Sequence, residues 1–136
     1  MEFVNFSTAK KLKEKGFPQI EKNTLAMYDA DGEWYSLAST IGDTEYWFYD
    51  FDMTDCVCPT ISQVLKWLRK KEVYLSVKVI ETDYAAKHWT GIMKFGYNVI
   101  AIIEPKLRHK HYDSVEYDTY EEAALAGIEY VLDRVL

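Results

Sequence analysis

The sequence is poor in the features that mark secreted, membrane-spanning or metal-dependent proteins. It has only two cysteines in 136 residues, too few for a disulfide framework, so reduced thiols in a cytoplasm are expected. No apolar run approaches the roughly 20 residues needed to cross a bilayer. The opening MEFVNFSTAKKL has no hydrophobic segment of the signal-peptide kind. Gly-rich phosphate loops, repeats, linkers and low-complexity stretches are all missing. Lysine and arginine are absent from residues 24–65, and the net charge is −6. Phosphate binding needs a positive surface, so neither a nucleic-acid nor a membrane partner is expected.

What is present reads as one globular domain, 1–136, with 49% hydrophobic and 28% charged residues. Asn5 or Ser7 is placed to cap a short helix that runs to Lys15, with Gly16 and Pro18 as its stop. TLAMYD and EWYSLAST flank Ala30-Asp31-Gly32, a hairpin signal. TEYWFYDF follows the Ile41-Gly42-Asp43 turn as a third strand of a meander. Thr60-x-x-Gln63 is a capping box, and Ile61, Val64, Leu65 and Leu68 then fall on one helical face. VYLSVKVI alternates as a strand. HWTGIMKF and YNVIAIIE extend the sheet, with a turn near Gly96 and an end at Pro105. Thr119-x-x-Glu122 opens a last helix whose stripe includes Ala124, Gly127, Ile128 and Val131. The expected fold is α+β: an antiparallel sheet, made of the N-terminal meander and a later three-stranded segment, packed by helices over 60–71 and 119–135, with a small N-terminal helix at its edge.

Each candidate for chemistry lacks a companion. Asp50-Phe51-Asp52-Met53-Thr54 resembles the nucleophile motif of haloacid-dehalogenase-type phosphotransferases, in which two carboxylates hold Mg²⁺ and one attacks phosphorus. No Gly-Asp-x-x-x-Asp follows it, and the motif does not end a first strand. A Mg-dependent phosphotransfer enzyme using Asp50 and Asp52 is therefore the alternative reading. As an EF-hand loop the segment fails at its twelfth position, which is Ile61. Cys56-Val57-Cys58 has one residue between thiols where zinc sites usually have two to four. Extended, the pair would point one way, as buried small residues do. His109-Lys110-His111 would share a face if extended, but Lys106, Arg108 and Lys110 repel a cation, so a solvated loop is expected. Residues 60–136 run α-β-β-β-α, the order of the double-stranded-RNA-binding domain, yet Glu121 and Glu122 stand where that domain carries basic residues. No catalytic residue, metal or cofactor is expected.

Three motifs carry a family resemblance. Lys13-Glu14-Lys15-Gly16-Phe17-Pro18-Gln19, Cys58-Pro59-Thr60-Ile61 with Lys66-Trp67-Leu68-Arg69, and Tyr120-Glu121-Glu122-Ala123 with Ile128-Glu129-Tyr130-Val131-Leu132 resemble small proteins of Bacteroides-type bacteria, their phages and integrated elements. The resemblance implies a cytoplasmic, phage-related accessory protein and carries no site residues with it.

Charge distribution gives the remaining expectation. Residues 24–65 hold eight acids and eight aromatics, while the cations gather at 10–15, 66–71 and 106–110. An acidic, aromatic surface over 28–55 would steer a basic protein partner. Its candidate binding residues are Trp34, Tyr35, Tyr46, Tyr49, Asp50, Asp52 and Asp55. A homodimer joined through exposed Tyr and Trp is a further option. The expected function is non-catalytic protein–protein binding.

Overall fold

Asn5 begins the first helix. Its side chain accepts the Thr8 N–H at 2.8 Å and α1 (Phe6–Glu14) follows, burying Thr8, Ala9 and Leu12. The helix ends in a Schellman motif: Phe17 N–H reaches the Leu12 carbonyl at 2.9 Å, Gly16 N–H reaches Lys13 at 3.2 Å, and Gly16 takes φ +89°. The computed structural model describes residues 2–19, 24–37, 54–81, 93–104 and 107–136. It divides into two compact units, Met1–Gln63 and Val64–Leu136. Among the described residues, no helix is long and apolar enough to cross a membrane.

The first unit holds a small sheet. β1 (Ala26–Tyr28) and β2 (Trp34–Ser36) form the expected hairpin, and β3 (Cys56–Val57) pairs with the other side of β1 in the order β2-β1-β3. The hairpin turn is closed by Gly32 N–H on the Asp29 carbonyl at 3.0 Å and by Asp29 Oδ1, which accepts the amides of Asp31 and Glu33. Gly32 has φ +87°. Strand alternation splits the side chains between two faces. Met27, Val57 and Leu37 cluster with Phe17 and Tyr35 on one. Tyr28, Trp34 and Cys56 share the other, where Phe6 meets Tyr28 and Phe3 meets Trp34 edge-on. The strand expected over TEYWFYDF lies outside the described residues.

The second unit is built on β4 (Val73–Glu81), β5 (Met93–Glu104) and β6 (Leu107–Tyr112), an antiparallel meander in that order. α2 (Ile61–Lys70) precedes it and α3 (Tyr120–Arg134) closes it. Both halves of the capping box on α2 are formed: Gln63 N–H to Thr60 Oγ1 at 3.2 Å and Thr60 N–H to Gln63 Oε1 at 2.9 Å. Thr119 caps α3 through Glu122 N–H at 3.1 Å. α3 packs on β4 and β5, burying Ala124, Gly127, Ile128 and Val131. A Cβ on Gly127 would sit 2.5 Å from Leu75 Cδ1 and 3.1 Å from Tyr97 Cδ2, so the glycine lets the helix settle onto sheet side chains.

The α+β class is as expected, with two departures. Among the described residues the strands form two three-stranded sheets. The later sheet also has different boundaries. β5 runs unbroken through Gly96, and the third strand is β6, which takes in the segment expected to be a loop. Gly96 is there for want of a side chain: a Cβ would lie 2.9 Å from Ile80 Cδ1 and 3.2 Å from Lys78 Cε. The part of HWTGIMKF before Met93 lies outside the described residues.

Candidate functional site

Of the seven residues expected to bind a partner, Trp34, Tyr35 and Asp55 are described; Tyr46, Tyr49, Asp50 and Asp52 lie outside the described residues, and with them the Mg²⁺ reading. Trp34 is 47% exposed. Tyr35 lies on the opposite face of the same strand, where its hydroxyl donates to Asp55 Oδ2 at 2.6 Å. Burial, then the Asp55 carboxylate, pushes the Tyr35 hydroxyl well above the usual phenol range. The Asp55 backbone carbonyl also accepts from Lys13 Nζ at 2.9 Å. Tyr35 and Asp55 thus tie β2 to the segment before β3, and Trp34 points away from both.

The two thiols are buried and free. The Cys58 thiol donates to the Val4 carbonyl at 3.4 Å, which also accepts the Tyr28 hydroxyl at 2.7 Å. Burial raises both cysteines above their ordinary range. For Cys56 the nearby Lys13 partly opposes the shift, and for Cys58 hydrogen bonds from Tyr28 and Trp34 do so. Buried, protonated thiols are poor nucleophiles and poor ligands. Among the described residues no group of three or more His, Cys, Asp or Glu is placed to hold a metal ion.

His109 and His111 share one face of β6, as extension requires, but the face is turned toward α3. His109 Nε2 lies 2.8 Å from the Tyr130 hydroxyl. His111 stacks on the Tyr130 ring at 3.9 Å and 12°. Tyr97 approaches both His111 and Tyr117, and Tyr117 donates to Asp113 Oδ2 at 2.9 Å. Burial pushes Tyr97 and Tyr117 up to about 12. This cluster seals the β6 edge of the α3 layer with polar aromatic contacts.

The opposite face of the same sheet carries the surface that sequence reasoning missed. The register sets cross-strand rows on it: Tyr74–Ile100–Lys110, Ser76–Asn98–Tyr112, and Ile102 beside Arg108. A soluble sheet usually turns polar side chains outward. Here Tyr74 is 47% exposed, Tyr112 59%, and Ile100 and Ile102 37% each. Lys78, Arg108 and Lys110 are exposed beside them, and none of the three makes an ion pair with a described residue. Lys94, on the same face, is paired with Asp118. Asn98 Oδ1 is buried in the middle row with no hydrogen-bond partner among the described residues. Two signals for this face were in the sequence. Residues 108–112 alternate Arg-Lys-Tyr against His-His, and within YNVIAIIE the run from Val99 to Ile103 is apolar on both sides.

Set against protein-family models, curated proteins and solved structures, the chain matches none of them.

Proposed function

We propose that this chain is a non-catalytic accessory protein that works by binding another protein through the open face of β4-β5-β6. One observation carries the reading: four large apolar side chains (Tyr74, Ile100, Ile102 and Tyr112) stand together in register on a sheet face that leaves them exposed. Scattered surface apolar residues are ordinary; a contiguous group rimmed by charge marks an interaction site. Interface cores favour Tyr and aliphatic anchors, with a polar rim around them. The α3 side of the sheet is already filled, so the exposed side chains of the open face offer packing capacity to a partner. The resemblance to small phage-related proteins agrees with an accessory role.

The first sheet supports binding less well, since Tyr35 and Asp55 are engaged with each other. The test is site-specific photo-cross-linking in the cells of origin. A cross-linker at position 112 or 74 is expected to give the same discrete protein adduct, and one at the exposed Ser62 of α2 is not. Adding Ile100→Glu should abolish the adduct. Absence of any adduct from positions 74 and 112 refutes the reading.

A further inference from the structure

We infer that the partner segment is an acidic amphipathic helix lying along β5, with apolar residues on Ile100 and Ile102 and carboxylates toward Arg108 and Lys110. The inference rests on the open-face reading and adds the chemistry of the partner.

Charge on this face is one-sided. The chain as a whole is −6, yet the side chains of β4, β5 and β6 described on this face include Lys78, Lys94, Arg108 and Lys110 and no carboxylate. Asp118 occupies Lys94. The other three make no ion pair with a described residue, and a partner with matching acids gains both steering and register from them. The apolar residues run down the central strand, and Arg108 and Lys110 run beside them on β6, one strand away. That arrangement fits a ligand with an apolar line and a parallel acidic line.

The spacing selects a helix. Ile100 and Ile102 are two residues apart on one strand face, about 6.8 Å at ~3.4 Å per residue. A helix rises about 6 Å over four residues, so apolar side chains at i and i+4 fall over the two isoleucines. Acids at the flanking helical positions then face β6, where Arg108 and Lys110 repeat at the same interval. Tyr74 and Tyr112 bound the line from the outer strands. A single-stranded nucleic acid would also find cations and tyrosines here, but the centre of the face offers it two aliphatic isoleucines where base stacking calls for aromatic rings.

The test uses the full chain and three fluorescent probes: a synthetic helical peptide with Leu at i and i+4 flanked by Glu, the same peptide with Lys for every Glu, and a single-stranded oligouridine. The Glu peptide is expected to bind, to weaken as salt is raised, and to outbind the other two. Combined Lys78→Glu, Arg108→Glu and Lys110→Glu should weaken it by about tenfold or more, as loss of several rim charges does, with the far-UV circular dichroism unchanged. If that triple variant misfolds, Arg108→Gln with Lys110→Gln replaces it, with a several-fold loss expected. Equal binding of the Lys peptide, or binding unmoved by the charge variants, overturns the inference. So does tighter binding of oligouridine, which would assign the face to nucleic acid. If positions 74 and 112 cross-link in cells while the Glu peptide fails to bind, the acidic-helix inference falls and the open-face reading stands; if neither occurs, both fall.

Discussion

Gly16 and Gly32 allow the cost of a backbone conformation to be separated from the cost of a contact. Both have nearly the same positive φ, +89° and +87°. A Cβ on Gly16 would meet nothing within 4 Å, whereas one on Gly32 would lie 2.8, 3.1 and 3.3 Å from three atoms of the Phe6 ring. Substitution by Ala at either site forces an L-residue into the left-handed region, about 1–2 kcal/mol, less ~0.5–1 kcal/mol recovered from the stiffer unfolded chain. Gly16→Ala should therefore destabilise by about 0.5–1 kcal/mol. Gly32→Ala adds an overpacking cost of roughly 1–3 kcal/mol. Phe6 cannot easily step aside, because the Tyr28 ring lies 5.5 Å away and Lys10 Nζ sits 4.5 Å over its own ring. The expected total is about 1.5–4 kcal/mol. Native-state hydrogen exchange at the Cys58 amide, which bonds Ala26 at 3.0 Å, reports this unit directly. If Gly32→Ala costs no more than Gly16→Ala, Phe6 does not pack on that turn as described and the reasoning fails.

Further expectations concern the second unit and pH. Glu72 holds φ 58° after α2, so Glu72→Gly should stabilise by about 0.5–1 kcal/mol in urea denaturation; a loss would show that its side chain contributes more than the strain removes. Asn98→Val replaces a buried oxygen that has no partner among the described residues and should gain about 1 kcal/mol, seen as slower exchange of the β5 amides. Tyr97 and Tyr117 are raised from the ordinary 10.0 to about 12. The folded state therefore favours their neutral form, and the stability they contribute is full below pH 10.0 and is lost as pH rises toward 12. Base titration followed by near-UV circular dichroism should show unfolding in that window, and Tyr97→Phe should make it shallower. Thiol labelling should find Cys56 and Cys58 unreactive until the first unit opens, since both are buried and raised; prompt labelling in native buffer would contradict that burial.

Helix ends were the most legible part of the chain, because caps are local. Asn5, Thr60, Thr119 and Gly16 each act within four residues of themselves, and each does in the fold what its neighbours in sequence suggest. The Asp29–Glu33 hairpin is local in the same sense. β6 was hidden because from Arg108 onward its two faces are Arg-Lys-Tyr and His-His, neither of which is the apolar set that marks a strand. Its inward face is satisfied by Tyr130, nineteen or more residues away, and only the folded chain brings that ring to His109 and His111. Gly96 misled for a related reason. The glycine serves Lys78 and Ile80 on the neighbouring strand, and nothing beside it in sequence says so. Asp55 counted as one acid among eight, and only the fold pairs it with Tyr35, twenty residues earlier.

The segment before α1 is stitched to the far end of its unit. Val4 N–H bonds the Pro59 carbonyl at 3.1 Å, Ile61 N–H bonds Glu2 at 3.0 Å, and Phe3 bridges Thr60. During synthesis residues 2–4 must therefore wait for residues 59–61 before they find their partners, so this segment is among the last pieces of its unit to lock. A deletion through Val4 would take the partner of Ile61 N–H from the first turn of α2 and leave Tyr28 and Cys58 without their shared acceptor. For anyone building variants of this protein, residues 2–4 are a closing latch that substitutions should leave intact.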